Sequence, residues 1–229
     1  MLVLFKEFFM SKRKEWISLI VGFVGSLAGC FGLLMFNSYL LMSIPLIPRM
    51  IAMIVFYWII ALPAIIAMIV CKDKLTDFGF SKNKVFLQIL IGIGIGVGMS
   101  FILTVIPHLV GFGDFVDNGQ RYKYLWQFIF EFVYCIFGVG AVEELVYRGF
   151  IFENIKRISN KDWVALLVSS ALFGLFHIFQ GNIIQMLITG LIGAFFCFCR
   201  MKIKNCTILS LIIAHGIYDA LIIVWAACL

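Results

Sequence analysis

The sequence predicts an all-α, polytopic transmembrane helical bundle of about seven spans (six to eight), with no β-sheet. Three observations predict it. Only 13% of the 229 residues are charged, 63% are apolar and mean hydropathy is +1.09. Soluble domains average about 25% charged residues, so this chain lacks the polar surface to cover itself in water. Apolar runs of about 18 residues or more recur along the chain, the length that crosses a bilayer core. The basic residues then alternate between the segments that join those runs.

The spans are expected at 16–38, 50–71, 85–107, 125–147, 162–179, 183–200 and 206–228. Lys6, Lys12, Arg13 and Lys14 precede the first span, and Arg49 alone follows it. Lys72, Lys74, Lys82 and Lys84 follow the second span, and Arg121 and Lys123 the third. Arg148, Lys156, Arg157 and Lys161 follow the fourth; residues 180–182 carry no basic residue; Arg200, Lys202 and Lys204 follow the sixth. Fifteen basic residues therefore gather on one side and three on the other. That asymmetry sets the N-terminus inside and the C-terminus outside. A further short segment near 39–47 or 108–120 would change the parity. The basic cluster at 12–14 follows the first apolar stretch, so no cleavable signal is expected. Leu2–Met10 reads either as a short interfacial amphipathic helix or as an unstructured start.

The chain reads as one integral membrane domain over 1–229. Its net charge of +6 is spread over termini and loops, which argues against a nucleic-acid partner; membrane lipids are the expected surroundings. The seven cysteines form no CxxC pair and read as small buried hydrophobes. Gly25/Gly29, Gly92/Gly96 and Gly94/Gly98 are small-xxx-small pairs that predict close helix approach. Pro63 and Pro107 are expected to kink or end their helices. Residues 73–84, DKLTDFGFSKNK, read as a solvated connector.

Ionisable residues inside the spans narrow the function. Each costs roughly 2.5–3.5 kcal/mol at mid-bilayer on insertion scales, so each is a functional candidate. With a turn at residue 160, Glu143 lies 17 residues before it and His177 17 after it. At about 1.5 Å per residue both sit roughly 25 Å from the turn, deep in the bilayer. Glu144 and Arg148 are four apart and share a helix face, as do His215 and Asp219 in the last span. Arg148 is expected to neutralise Glu144. Glu143, about 100° further round an α-helix, is expected to point elsewhere and face a cavity, where it could serve as a general base. Three helices thus deliver Glu143, Glu144, Arg148, His177, His215 and Asp219 to neighbouring depths. Glu131 reads as snorkelling outward, His108 as interfacial, and Asp114 and Asp117 as part of a polar outer segment.

These residues form three motifs: EExxxR (Glu143, Glu144, Arg148), FxxxH (Phe173, His177) and HxxxD (His215, Asp219). In that order on successive apolar helices, the motifs resemble the CPBP family. That family comprises type II CAAX prenyl endopeptidases and bacterial bacteriocin-processing or self-immunity relatives, also called Abi proteins. The resemblance covers about 125–225, the expected catalytic core. It implies a glutamate-type intramembrane endopeptidase acting, without a metal, on a hydrophobic or lipidated membrane peptide. By that resemblance Glu143 and His177 would activate water, Glu144 and Arg148 would hold the geometry, and His215 with the residue four beyond it would stabilise the oxyanion. The family's last position is often Asn; here it is Asp219. An ionised Asp219 cannot donate to an oxyanion, so either it is protonated or it orients His215.

Three alternatives stand beside this reading. Glu143, His177 and His215 would suit zinc with an open position, although HExxH is absent. A transporter would line a path with acids and His, but it predicts inverted repeats with paired broken helices, and no convincing repeat is present. A non-catalytic self-immunity protein could retain the same fold. The Ile-, Phe- and Lys-rich usage suits an AT-rich bacterial genome, hence a bacterial cytoplasmic membrane.

Overall fold

The computed structural model describes residues 12–113, 119, 121–180 and 183–228. Leu2–Met10, Asp114, Asp117 and the connector at 181–182 lie outside the described residues. Eight helices account for the apolar segments: α1 Arg13–Tyr39, α2 Leu46–Tyr57, α3 Leu62–Val70, α4 Val85–Phe112, α5 Leu125–Ser159, α6 Asp162–Phe176, α7 Ile183–Lys202 and α8 Ile208–Cys228. Five of them (α1, α4, α5, α7 and α8) are long and apolar enough to cross a membrane. The pair α2 and α3, bent by 46°, passes the same test together, and α6 is a shorter apolar helix. Each segment overlaps one of the seven expected spans, and no strand occurs among the described residues. The predicted all-α membrane bundle is therefore what the chain forms.

Local chemistry sets the breaks. Pro63 stands in the first turn of α3, where its missing N–H costs no helical bond. Pro107, by contrast, ends nothing: it lies between two π-helical turns, Phe101–Val105 and His108–Phe112. The turn expected at residue 160 is present, with Asn160 left-handed (φ 54°) closing α5. α5 runs unbroken from Leu125 to Ser159, so residues 141–150, which carry the EExxxR motif, are helix.

α5 is the axis of the bundle. It touches α1, α2, α6 and α8, while α8 packs along α4, α6 along α7, and α1 along α3. Every residue from Ala141 to Phe152 is buried. A helix covered on all sides must be centred among the others. Lipid tails are as apolar as leucine, so close packing holds such helices together. Gly92 and Gly96 supply it: a Cβ there would lie 2.5 Å from the Ser210 carbonyl and 2.6 Å from the Ala214 carbonyl of α8. Gly29 likewise admits the Ile59 carbonyl. Gly94 and Gly98 face open space, so that expected pair packs against nothing among the described residues.

The 73–84 connector departs from its expected solvated character. Phe78 is fully buried, its ring 5.9 Å from that of Phe150, with the Arg157 guanidinium 4.9 Å above it. Gly79, at φ +87°, turns the chain so that its carbonyl accepts the Ile208 N–H at 3.2 Å. Gln88 donates to the Ser81 and Asn83 carbonyls and accepts from Thr207. Phe78 and Phe80 are two residues apart in a polar loop, a spacing that fits no helix face, so helical periodicity does not mark Phe78 as core.

Candidate active site

The motif-bearing part of α5 is not a regular α-helix. Cys135–Gly140 and Glu144–Ile151 are π-helical, with a single α-turn between them. A π-turn takes an extra residue, so neighbouring side chains are separated by less than the α-helical 100°. Both glutamates consequently face one imidazole. Glu144 Oε1 lies 2.7 Å from His215 Nδ1, and Glu143 Oε2 lies 3.7 Å from His215 Nε2. The expectation that Glu143 points elsewhere is corrected: its carboxylate meets the second nitrogen of the ring that Glu144 holds by the first.

Asp219, one turn along α8, places Oδ2 3.3 Å from the same Nε2. His215 is thus ringed by three carboxylates from two helices. A neutral imidazole has one donor and one acceptor. Its two nitrogens satisfy three acids only when extra protons sit on the ring or on one of the acids. Arg148 brings the countercharge, with Nη1 3.0 Å from Glu144 Oε1 and both side chains essentially inaccessible (1% and 0% exposed). The pair is ionic by distance, while no guanidinium N–H is aligned for a hydrogen bond among the described residues. The aromatic box around the guanidinium supplies further attraction: its carbon is 3.9 Å from the Phe173 centroid and 5.4 Å from that of Phe196.

His177 occupies a different place from the one depth alone predicts. The hairpin register is as expected, because Tyr147 and Arg148 of α5 meet Phe173 of α6. α6, however, ends at Phe176, and His177 begins a 3-10 turn. Among the described residues no hydrogen bond or ion pair joins His177 to Glu143. Its Nδ1 lies 2.9 Å from the Phe173 carbonyl, and its ring packs 4.7 Å from Phe173. A carbonyl only accepts, so Nδ1 is the donor of that bond. Phe173 also stands edge-on to His215 at 6.3 Å, so both histidines pack against one ring. Among the described residues, no three His, Cys, Asp or Glu side chains converge in metal-ligand geometry. The zinc set Glu143, His177 and His215 is accordingly not assembled.

One residue of the site escaped the sequence reading. Tyr57, at the end of α2, donates its hydroxyl to Glu143 Oε1 at 2.6 Å and stands edge-on to Tyr134. A lone tyrosine in an apolar run carries no sequence signal; only the break after α2 turns it inward. Glu131 was also misread. It is buried and accepts from Tyr122 at 2.7 Å and from Cys135, so it does not snorkel outward. Burial, then that bond to Glu131, pushes the Tyr122 phenol up. His108 is exposed near the end of α4.

A helical bundle with apolar membrane-length spans and a buried acid–imidazole cluster defines an integral membrane protein with an enzyme-like site. Residues 125–221 match the family described as type II CAAX prenyl endopeptidase Rce1-like. The matched stretch holds all three motifs, so the resemblance to the CPBP family is borne out there, and the match supports a protease. No curated protein and no solved structure matches the chain.

Proposed function

We propose that the protein is an intramembrane endopeptidase that hydrolyses a peptide bond in a hydrophobic or lipidated membrane peptide. The observation that carries this reading is the convergence of Glu143, Glu144 and Asp219 on His215, with Arg148 buried behind them. Glu143, oriented by Tyr57, accepts a proton from water as the oxygen attacks the substrate carbonyl carbon. His215 donates an N–H toward the oxyanion that forms. Such a donor contributes on the order of 10²–10³ in rate. The tetrahedral carbon then releases the amine, which leaves with the proton first taken from water. His177, its ring packed on Phe173, helps Glu143 to activate that water. Asp219 and Glu144 hold the His215 ring, and Arg148 holds Glu144.

The orientation that fits the basic asymmetry keeps the N-terminus inside a bacterial cytoplasmic membrane. The substrate is delivered laterally in that membrane, and no metal takes part. Purified protein in liposomes, with a fluorogenic peptide carrying a prenylated cysteine and three further residues, tests the reading. An unlipidated hydrophobic peptide serves as the comparison. Cleavage that survives exhaustive chelation and falls at least about 100-fold in His215→Ala and His177→Ala is the expected result. No cleavage of either peptide by wild type, or equal cleavage by both variants, removes the proposal.

A further inference from the structure

Two π-turns bring both glutamates onto His215, and a π-turn is less stable than the α-turn it replaces, with poorer packing and misaligned carbonyls. Something must hold it. Side-chain donors reach three backbone carbonyls of this stretch. Trp58 Nε1, from the break between α2 and α3, donates to the Phe137 carbonyl at 3.0 Å. Asn154, one turn on, donates to the Phe150 carbonyl at 2.9 Å. Arg200 of α7 donates through Nη1 to the Arg148 carbonyl at 2.5 Å.

Arg200 is the donor nearest the chemistry. Its second nitrogen pairs with Glu153, and its guanidinium carbon lies 5.2 Å from the Phe152 ring centroid. Both partners of that ion pair are largely buried, at 13% and 14% exposure. The forked guanidinium thus spans the backbone of Arg148 and the side chain of Glu153, one residue beyond the end of the second π segment's neighbour Phe152. The DFGF loop makes room for it: a Cβ on Gly79 would collide with the Arg200 guanidinium. Relaxation of this segment to α-helix would rotate the residues after Glu144 relative to those before it and shift the Glu143 and Glu144 carboxylates against His215.

We infer that Arg200 is a positioning residue of the active site, fixing the π-helical register of Glu144–Ile151 through the Arg148 carbonyl so that both glutamates face His215. This deepens the peptidase reading and rests on it for its kinetic arm. Arg200 lies outside the three motifs and touches none of the reacting groups. Arg is suited to the task because its planar fork serves two acceptors at once, whereas a lysine offers a point charge.

The test compares Arg200→Met and Arg200→Lys with wild type in the liposome assay, alongside hydrogen–deuterium exchange. Arg200→Met is expected to lose at least about 10-fold in kcat with KM within about twofold, and Arg200→Lys to fall between it and wild type. Amides of 144–153 should exchange at least about 10-fold faster in Arg200→Met while those of 208–220 keep the wild-type rate. Wild-type kcat in either variant overturns the inference. So does a uniform rise in exchange along the chain with activity lost in step with the folded fraction. If Arg200→Met does not fold, Arg200→Lys, which keeps the charge opposite Glu153, decides by the same two readouts. If wild type itself cleaves neither peptide, the peptidase reading has failed, and the exchange pattern alone decides the register.

Discussion

Tyr57 and His215 approach opposite oxygens of the Glu143 carboxylate, which fixes its plane. A hydrogen bond to a charged group contributes about 1.5–3 kcal/mol. Tyr57→Phe is therefore expected to lower kcat about 10-fold while leaving KM and the melting temperature close to wild type. An unchanged kcat in steady-state peptide cleavage would count against that role. Arg148 has a structural duty as well. Its removal leaves Glu144, at 0% exposure, with His215 but without the guanidinium, and breaking such a buried pair costs roughly 3–5 kcal/mol. Arg148→Ala should give little folded protein, and a thermal shift in detergent checks this; wild-type yield and melting would refute it. At this scale the sequence disclosed the chemistry-bearing side chains but not their pairings. Glu144 with Arg148 and His215 with Asp219 followed from spacing. Tyr57 and the true surroundings of His177 did not, because they depend on where helices break.

Helical elements set those breaks. α5 was legible as a helix beyond Arg148 from the turn residues Ser159 and Asn160, and its register against α6 followed from counting back from 160. Its second π segment was not legible, since hydrophobic period within the fully buried stretch from Ala141 to Phe152 carries no phase. The DFGF loop shows the complementary failure. Polar neighbours disguised Phe78, whose ring fills the end of the core beneath Phe150. Truncating a buried phenylalanine costs about 3–5 kcal/mol. Phe78→Ala should lower the melting temperature clearly, whereas the exposed Leu75→Ala in the same loop should not. Equal melting of the two variants would return the loop to a solvated connector.

At the scale of the whole molecule, composition and charge alternation carried the fold. Thirteen per cent charge, seven apolar segments and their basic connectors allow few other architectures. The proposed membrane orientation rests on the same alternation and is open to measurement. With the exposed Cys228 replaced by serine, a cysteine at Lys84 should resist an impermeant maleimide in intact cells, and one at Lys123 should react. The reverse pattern would invert the topology and leave the bundle unchanged. Lipid contact also explains what composition could not reveal. In a chain that is apolar inside and out, the partition between core and lipid face depends on packing, as the open faces of Gly94 and Gly98 illustrate.

The account as a whole depends on Glu143 being the group that takes a proton from the attacking water. The most direct measurement is the initial rate of prenylated-peptide cleavage by Glu143→Gln, at a folded fraction matched to wild type in the same liposomes. Glutamine keeps the size and can still accept from Tyr57, but it is no base. A fall of at least about 1,000-fold at unchanged melting temperature is the predicted result. A rate within about threefold of wild type would contradict the mechanism outright.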